Sequence, residues 1–152
     1  MLLRPQQPFD FTRTLRFLLS PPALLKRRQF EPLLDYFEDG EYRRVADIAG
    51  QAVLYGVSEI KAGKASDLRV RLLAPPGGKA IEAEVLALVE RQFSTGLDLS
   101  PFYRVAKADR VLSHLITHFR GMRIPQAASV YELLISAILE QQVNLTFAHQ
   151  VK

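Results

Sequence analysis

Hydrophobic and polar positions change their period along the chain, and the changes mark its elements. Phe9-Asp10-Phe11 alternates over a span sufficient for one edge strand. Thr12 or Thr14 is placed to cap a short helix through Leu15, Phe17 and Leu18, which Pro21-Pro22 stops. Residues 30–74 then read as strands. Asp39-Gly40 is a hairpin signal, because both central positions of the favoured tight turn need positive φ, and it joins a strand near Leu33 to Glu38 with one near Glu41 to Ile48. A third strand is predicted from about Ala52 to Ile60. The loop Lys61 to Asp67 leads to a fourth, where Leu68, Val70 and Leu72 face one way and Arg69 and Arg71 the other. After Pro75-Pro76-Gly77-Gly78 the period lengthens: Ile81, Val85, Leu88 and Val89 line one helical face while Glu82, Glu84, Glu90 and Arg91 stay wet.

Beyond Gly96 the pattern is wholly helical. Ser100-Pro101 reads as a cap followed by a first-turn proline. Asp109 is placed to cap a helix whose Val111, Leu112, Leu115, Ile116 and Phe119 form a buried face, ended by Gly121. Ser129, with Glu132 three residues on, predicts a capping box and a helix from about Val130. That helix is apolar nearly all round, with Leu133, Ile135 and Leu139 lying off the face of Val130, Leu134, Ala137 and Ile138, so it requires protein on every side. Asn144 reads as a fresh N-cap for Leu145 to Lys152, a segment with no terminator. The expectation is an α+β fold in two parts: residues 1–96, an antiparallel sheet with covering helices, and residues 97–152, the first helices of an incomplete all-α domain.

Composition narrows the chemistry. A hydrophobic content of 48% is ample for a core. The absence of cysteine excludes disulfides and thiolate metal sites. His114 and His118 stand four apart, but without a zinc-protease glutamate beside them an ordinary surface role is the better reading, and no metal or cofactor is called for. No apolar run approaches the roughly 20 residues of a membrane span, and prolines break the N-terminus before a signal core can form, so a cytoplasmic location is expected. The net charge of +4 is compatible with a nucleic-acid partner without demanding one.

The phrase GMRIPQAASVYELLISAILEQQVNL, residues 121–145, is the most specific stretch. With PFDFTRTLRFLLS at residues 8–20 and the turn at Gly40 to Arg43, it resembles the bacterial inducible 3-methyladenine DNA glycosylases of the helix-hairpin-helix superfamily. That resemblance implies a TATA-binding-protein-like α+β domain followed by a helical one. It implies base-excision repair of double-stranded DNA, in which an alkylated base such as 3-methyladenine is swung out of the helix and removed. The residue pushed into the DNA lies in the family in a tight loop after the recognised helix. Here it corresponds to Gln142, flanked by Gln141, Val143 and Asn144, where the family offers leucine.

Phe17 falls where the family lends an aromatic ring to the base pocket, and Leu145 is a second pocket candidate; core residues at helical spacing are the competing reading of both. Arg13, Arg16 and Lys26 to Arg28 could meet phosphates, or form ordinary solvated surface. The resemblance further requires a glycine-rich hairpin and a following aspartate. Neither occurs after the phrase, since Asp98 and Asp109 precede it, so this chain by itself is expected to be inactive and to be the first part of a longer enzyme. Two alternatives stand beside it: a non-catalytic DNA-binding or scaffold module, to be separated by hydrodynamic size, and part of an 8-oxoguanine glycosylase, to be separated by a base-release assay on both lesions.

Overall fold

The computed structural model describes residues 1–19, 35–63 and 65–142. Five antiparallel strands make one sheet: β1 (Leu2–Leu3), β2 (Asp35–Glu38), β3 (Glu41–Ile48), β4 (Gln51–Ala62) and β5 (Ala65–Ala74), in the order β1-β5-β4-β3-β2. The strands at β2 to β5 follow the alternating pattern. Asp39 and Gly40 adopt φ of 51° and 78°, closing the pair Glu38 and Glu41 as the Asp-Gly signal predicts. Ala49-Gly50 makes a second such turn, with φ of 53° and 78°, where the alanine gave no signal. The expected loop before Leu68 is a tight turn instead, because pairing continues out to Ala62 and Ala65. Cross-strand hydrogen bonds carried the ladder past the polar residues that had suggested a loop.

The other expected edge strand, Phe9 to Phe11, is absent: Phe11 opens the helix α1 (Phe11–Leu19), and the edge is supplied by β1. Neither threonine caps α1. Asp10 does, its Oδ1 accepting the Arg13 N–H at 2.8 Å, while Thr14 lies buried inside the helix and donates to the Asp10 carbonyl at 2.7 Å. The apolar alternation of Phe9 and Phe11 reflects burial on both sides of a helix start. A period of two over three residues cannot tell that from a strand.

The inner face of the sheet, with Tyr42, Val53, Tyr55, Val57, Leu68 and Val70 fully buried, is covered by α1 and by α2 (Lys79–Gln92), whose Val85, Leu88 and Val89 point into the core. Phe93 fills the centre, its ring 5.5 Å from that of Phe11 and 5.4 Å, edge-on, from that of Tyr42. The outer face carries a second ionic cluster. Glu41, buried beside Gly56, accepts from Arg43 Nε at 2.9 Å and from Arg71 Nε and Nη2 at 2.9 Å.

Three further helices follow: α3 (Ser100–Ala108), α4 (Leu112–His118) and α5 (Val130–Gln142). Ser100 is the first residue of α3 and not its cap; Asp98 Oδ1 accepts the Ser100 N–H at 2.8 Å. Asp109 caps the α4 turn as expected, its Oδ1 taking the N–H groups of Val111 and Leu112 at 2.8 Å. The apolar face of α4 is not buried, however: Val111, Leu115 and Phe119 are all exposed. Among the described elements α4 packs chiefly on α3, and a helical stripe becomes core only where another element lies against it.

Between α4 and α5 the segment 121–128 returns to the α+β unit. Gly121, at φ 83°, accepts the Asp10 N–H at 2.8 Å, and its missing side chain leaves room where a Cβ would stand 3.0 Å from that nitrogen. The Arg123 N–H donates to Thr14 Oγ1 at 3.0 Å, its Nη2 to the Gln6 carbonyl at 2.7 Å, and the Gln126 N–H to the Gln92 carbonyl at 2.9 Å. These bonds tie the start of the recognised phrase to the sheet domain. Helix α5 then runs out with Val130 73% and Tyr131 76% exposed, and with Leu133, Leu134 and Ile138 also exposed. Its near-continuous apolar surface is uncovered among the described residues.

Three predictions test this architecture. A Cβ at Gly56 would stand 2.6 Å from the Glu41 carboxylate, so Gly56→Ala should lower stability by about 1–3 kcal/mol, read from denaturant midpoints. Burial raises the Glu41 pKa, but hydrogen bonds and charge from Arg43 and Arg71 outweigh it and hold the carboxyl below its ordinary value. Its stabilising contribution is therefore complete above the ordinary glutamate range, near pH 4.3, and is lost as pH falls through the lower folded-state value. Glu41→Gln should flatten that part of a stability-against-pH curve, and an unchanged acid limb would refute the assignment. Ser129 Oγ accepts the Glu132 N–H at 3.1 Å, so Ser129→Ala should cost about 1 kcal/mol and reduce the helical circular-dichroism signal.

Candidate nucleic-acid interface

Helix α1 buries Phe11, Thr14 and Leu15 and thereby turns Phe17 outward, 56% exposed. A large aromatic ring left in solvent has a face available for stacking. Its neighbour in space is α5. Phe17, Leu18, Pro125, Ala127, Glu132, Leu133, Ser136 and Ala137 together line a cleft of about 380 Å³. The i, i+4 spacing of Glu132 and Ser136 and of Leu133 and Ala137 places these residues on one side of α5. The cleft is thus an aromatic ring from the sheet domain set against a mostly apolar wall of the helical part, with one carboxylate and one hydroxyl.

Gln141 and Gln142 form the last turn of α5 and not a loop after it. Gln141 is exposed. At the helical rise its backbone stands about 6 Å further along the axis than Ala137, about one turn beyond the last α5 residue that lines the cleft. Val143, Asn144 and Leu145 lie outside the described residues, as do Pro21-Pro22 and Lys26 to Arg28. Arg13 is engaged within the fold, paired with Asp10 at 3.0 Å and donating to the Arg120 carbonyl at 3.3 Å.

A larger recess of about 1130 Å³ lies between β3, α2 and α5. At its wall stands a polar relay that the hydrophobic pattern does not foretell. Tyr55 donates to Gln92 Oε1 at 2.7 Å, Gln92 Nε2 donates to the Tyr42 hydroxyl at 2.7 Å, and Tyr42 donates to Asp35. Asp35 in turn takes two bonds from Arg44 Nη1, at 2.7 and 2.8 Å, and Arg44 Nη2 pairs with Glu132 of α5. Burial pushes the phenols of Tyr42 and Tyr55 far up, so both remain neutral donors. Burial opposes the charge on Arg44, but the carboxylates of Asp35 and Glu132 more than offset it and keep the guanidinium firmly protonated.

Glu132 therefore does not complete the capping box: its backbone N–H meets Ser129, while its carboxylate reaches Arg44. Arg44 was legible in one respect. It shares the parity of Tyr42 and Ile48, the inward positions of β3, and an arginine at an inward position demands a buried acidic partner. Which partner, the sequence could not say.

On the outer sheet face Arg43 and Arg71 are committed to Glu41 and Arg43 also to Glu38, while Arg69 is exposed. The two aspartates in the helical part are also occupied. Backbone N–H groups hold both below the usual carboxylate range, that of Ser100 on Asp98 and those of Leu112 and Val111 on Asp109. His118 Nδ1 lies 3.2 Å from the His114 carbonyl, and among the described residues no group of three or more histidines and carboxylates could hold a metal. No described helix is long and apolar enough to cross a membrane.

Comparison with known proteins gives this geometry its context. No established family profile matches the chain. A stretch of 69 residues, 45% of the chain, is 36% identical to the DNA-3-methyladenine glycosylase of Bacillus subtilis (strain 168) and spans 23% of that protein. The fold superposes on the 3-methyladenine DNA-glycosylase from Archaeoglobus fulgidus with a TM-score of 0.77 at 18% identity, covering 98% of this chain and 47% of that one. The chain spans about half the length of the solved structure it matches, and the matched stretch less than a quarter of the curated relative. The chain is thus similar in sequence, over 69 residues, to a DNA-3-methyladenine glycosylase, and similar in fold to about half of a solved 3-methyladenine DNA-glycosylase.

Proposed function

We propose that this chain is the N-terminal part of a base-excision-repair glycosylase that flips alkylated bases such as 3-methyladenine out of duplex DNA for removal. The observation that carries the reading is the cleft that Phe17, outward and exposed, lines together with Leu133 and Ala137 of α5, about one turn before Gln141. A base alkylated on a ring nitrogen is electron-poor and positively charged, and an aromatic face attracts such a cation by about 0.5–2 kcal/mol according to how dry the site is. Stacking on Phe17 would thus favour the lesion over a neutral base. Unstacking is also cheapest at a damaged base, so both selections act in the same direction.

The role proposed for the end of α5 is to fill the gap in the duplex. A glutamine amide is planar and can occupy the vacated stack while hydrogen-bonding the orphaned partner base, though with less apolar contact than a leucine wedge. Hydrolysis of the base–sugar bond develops positive charge on the sugar and calls for a free carboxylate beside it. Asp98 and Asp109 spend theirs on helix N-termini, and the Glu132 carboxylate in the cleft is paired with Arg44. The cleft therefore supports binding and stacking within this chain, with the hydrolytic carboxylate contributed by further polypeptide. The uncovered apolar surface of α5 is where such polypeptide would pack.

Incubation with methylated duplex DNA tests this reading. The complete polypeptide should release 3-methyladenine and the 152-residue chain should not. Release by the short chain, or release of oxidised guanine alone by the complete one, would overturn it. Phe17→Ala should change stability by no more than about 0.5 kcal/mol, because the ring is exposed. The same substitution should slow release of cationic bases by about tenfold, the equivalent of roughly 1.4 kcal/mol.

A further inference from the structure

Arg44 lies at an inward position of β3, among residues that are otherwise aromatic or aliphatic, and its side chain is 4% exposed. A charge in such a place is costly, and replacing a buried ion pair by well-packed apolar residues is often neutral or stabilising. Its position therefore points to a role other than stability. The guanidinium fork faces two ways, with Nη1 held by both oxygens of Asp35 within the sheet and Nη2 reaching out to Glu132 in the first turn of α5.

Little else fixes α5 in relation to the sheet. The bonds from Arg91 to the Ala128 carbonyl and from the Gln126 N–H to the Gln92 carbonyl hold the segment before the helix. Among the described residues of α5 itself, Glu132 is the one whose side chain bonds to the sheet domain. The apolar side chains of the helix are largely exposed and do not set its direction. Further helices packed on those side chains would fix α5 within a bundle, but not with respect to the sheet and α1.

We infer that Arg44 is a positioning residue: through Glu132 it sets the angle of α5 against the sheet, and hence the distance between Phe17 on α1 and the Gln141 end of α5. The lever is long. Nine residues separate Glu132 from Gln141, about 13 Å of helix, so a swing of about 10° at the first turn moves the far end by about 2 Å. Misplacement of that order at a reacting site can reduce rate by a hundredfold. The fork geometry also explains the choice of arginine, since a lysine ammonium is a single point that cannot hold both oxygens of Asp35 and Glu132 in fixed directions.

The functional half of this inference rests on the proposed glycosylase reading; the mechanical half does not. Amide hydrogen exchange on the 152-residue chain tests the mechanical half. Glu132→Gln and Arg44→Lys should each speed exchange in α5 about tenfold with β4 and β5 still protected, and the double variant should be no faster than the faster single one. Unchanged α5 exchange in Glu132→Gln, or multiplied effects in the double variant, would overturn the inference. In the complete polypeptide, Arg44→Lys, which lies outside the Phe17 cleft, should slow single-turnover base release about tenfold with affinity for undamaged duplex unchanged. Wild-type speed in that variant would remove the positioning role. Absence of release from the wild-type polypeptide would instead remove the glycosylase reading, leaving the exchange result to decide the mechanical claim.

Discussion

A chain of buried hydrogen bonds crosses an otherwise apolar core, from Tyr55 through Gln92, Tyr42, Asp35 and Arg44 to Glu132, and the arrangement of sheet and helices depends on its being complete. The phenols of Tyr55 and Tyr42, the Gln92 amide and both Asp35 oxygens have partners, in a medium where an unmade bond costs more than a made one contributes, while the buried Arg44 Nε is left without one. The relay also imposes direction. It begins on β4, passes through the last turn of α2, crosses β3 and β2 and ends on α5, so it joins the hydrophobic core to a helix with little packing of its own.

Around that relay the fold distributes its charges unevenly. On the outer face, Glu41 is enclosed by Arg43 and Arg71, with Glu38 beside them, so these two arginines are largely neutralised by their neighbours. A sheet that gripped DNA phosphates would need cations free to release counterions. The exposed aromatic lies on the other side, where residues of α1 and α5 line a common cleft. The interface proposed above is therefore built from stacking surface and a helix terminus, with the sheet as the frame that holds them.

The apolar surface of α3 to α5 is the counterpart of this frame. Val111, Leu115, Phe119, Val130, Tyr131 and Leu134 are exposed residues of types that ordinarily form cores. Extensive apolar exposure on a protein marks a place of contact. The bonds at Gly121, Arg123 and Gln126 show that the helical part is nonetheless joined firmly to the sheet domain at its base, so the two are not beads on a flexible string.

Much of this was determined by the sequence alone, wherever a local rule had no competitor. Asp39-Gly40 specified its turn through backbone φ, the alternation around Leu68 to Leu72 specified a strand, the 3.6-residue period from Ile81 to Val89 specified α2, and Asp109 specified a cap. Tertiary structure decided the rest, where a residue had more than one possible partner. Glu132 had the spacing of a capping box and was taken by Arg44, 88 residues away; Asp10 and not a threonine capped α1; the stripe on α4 found nothing to cover it; and Phe17, equally a core or a stacking residue by spacing, was turned outward because Phe11 and Leu15 took the inside. A hydrophobic period states which side chains share a face. Only the placed neighbours state whether that face is buried, bonded or left open for a ligand.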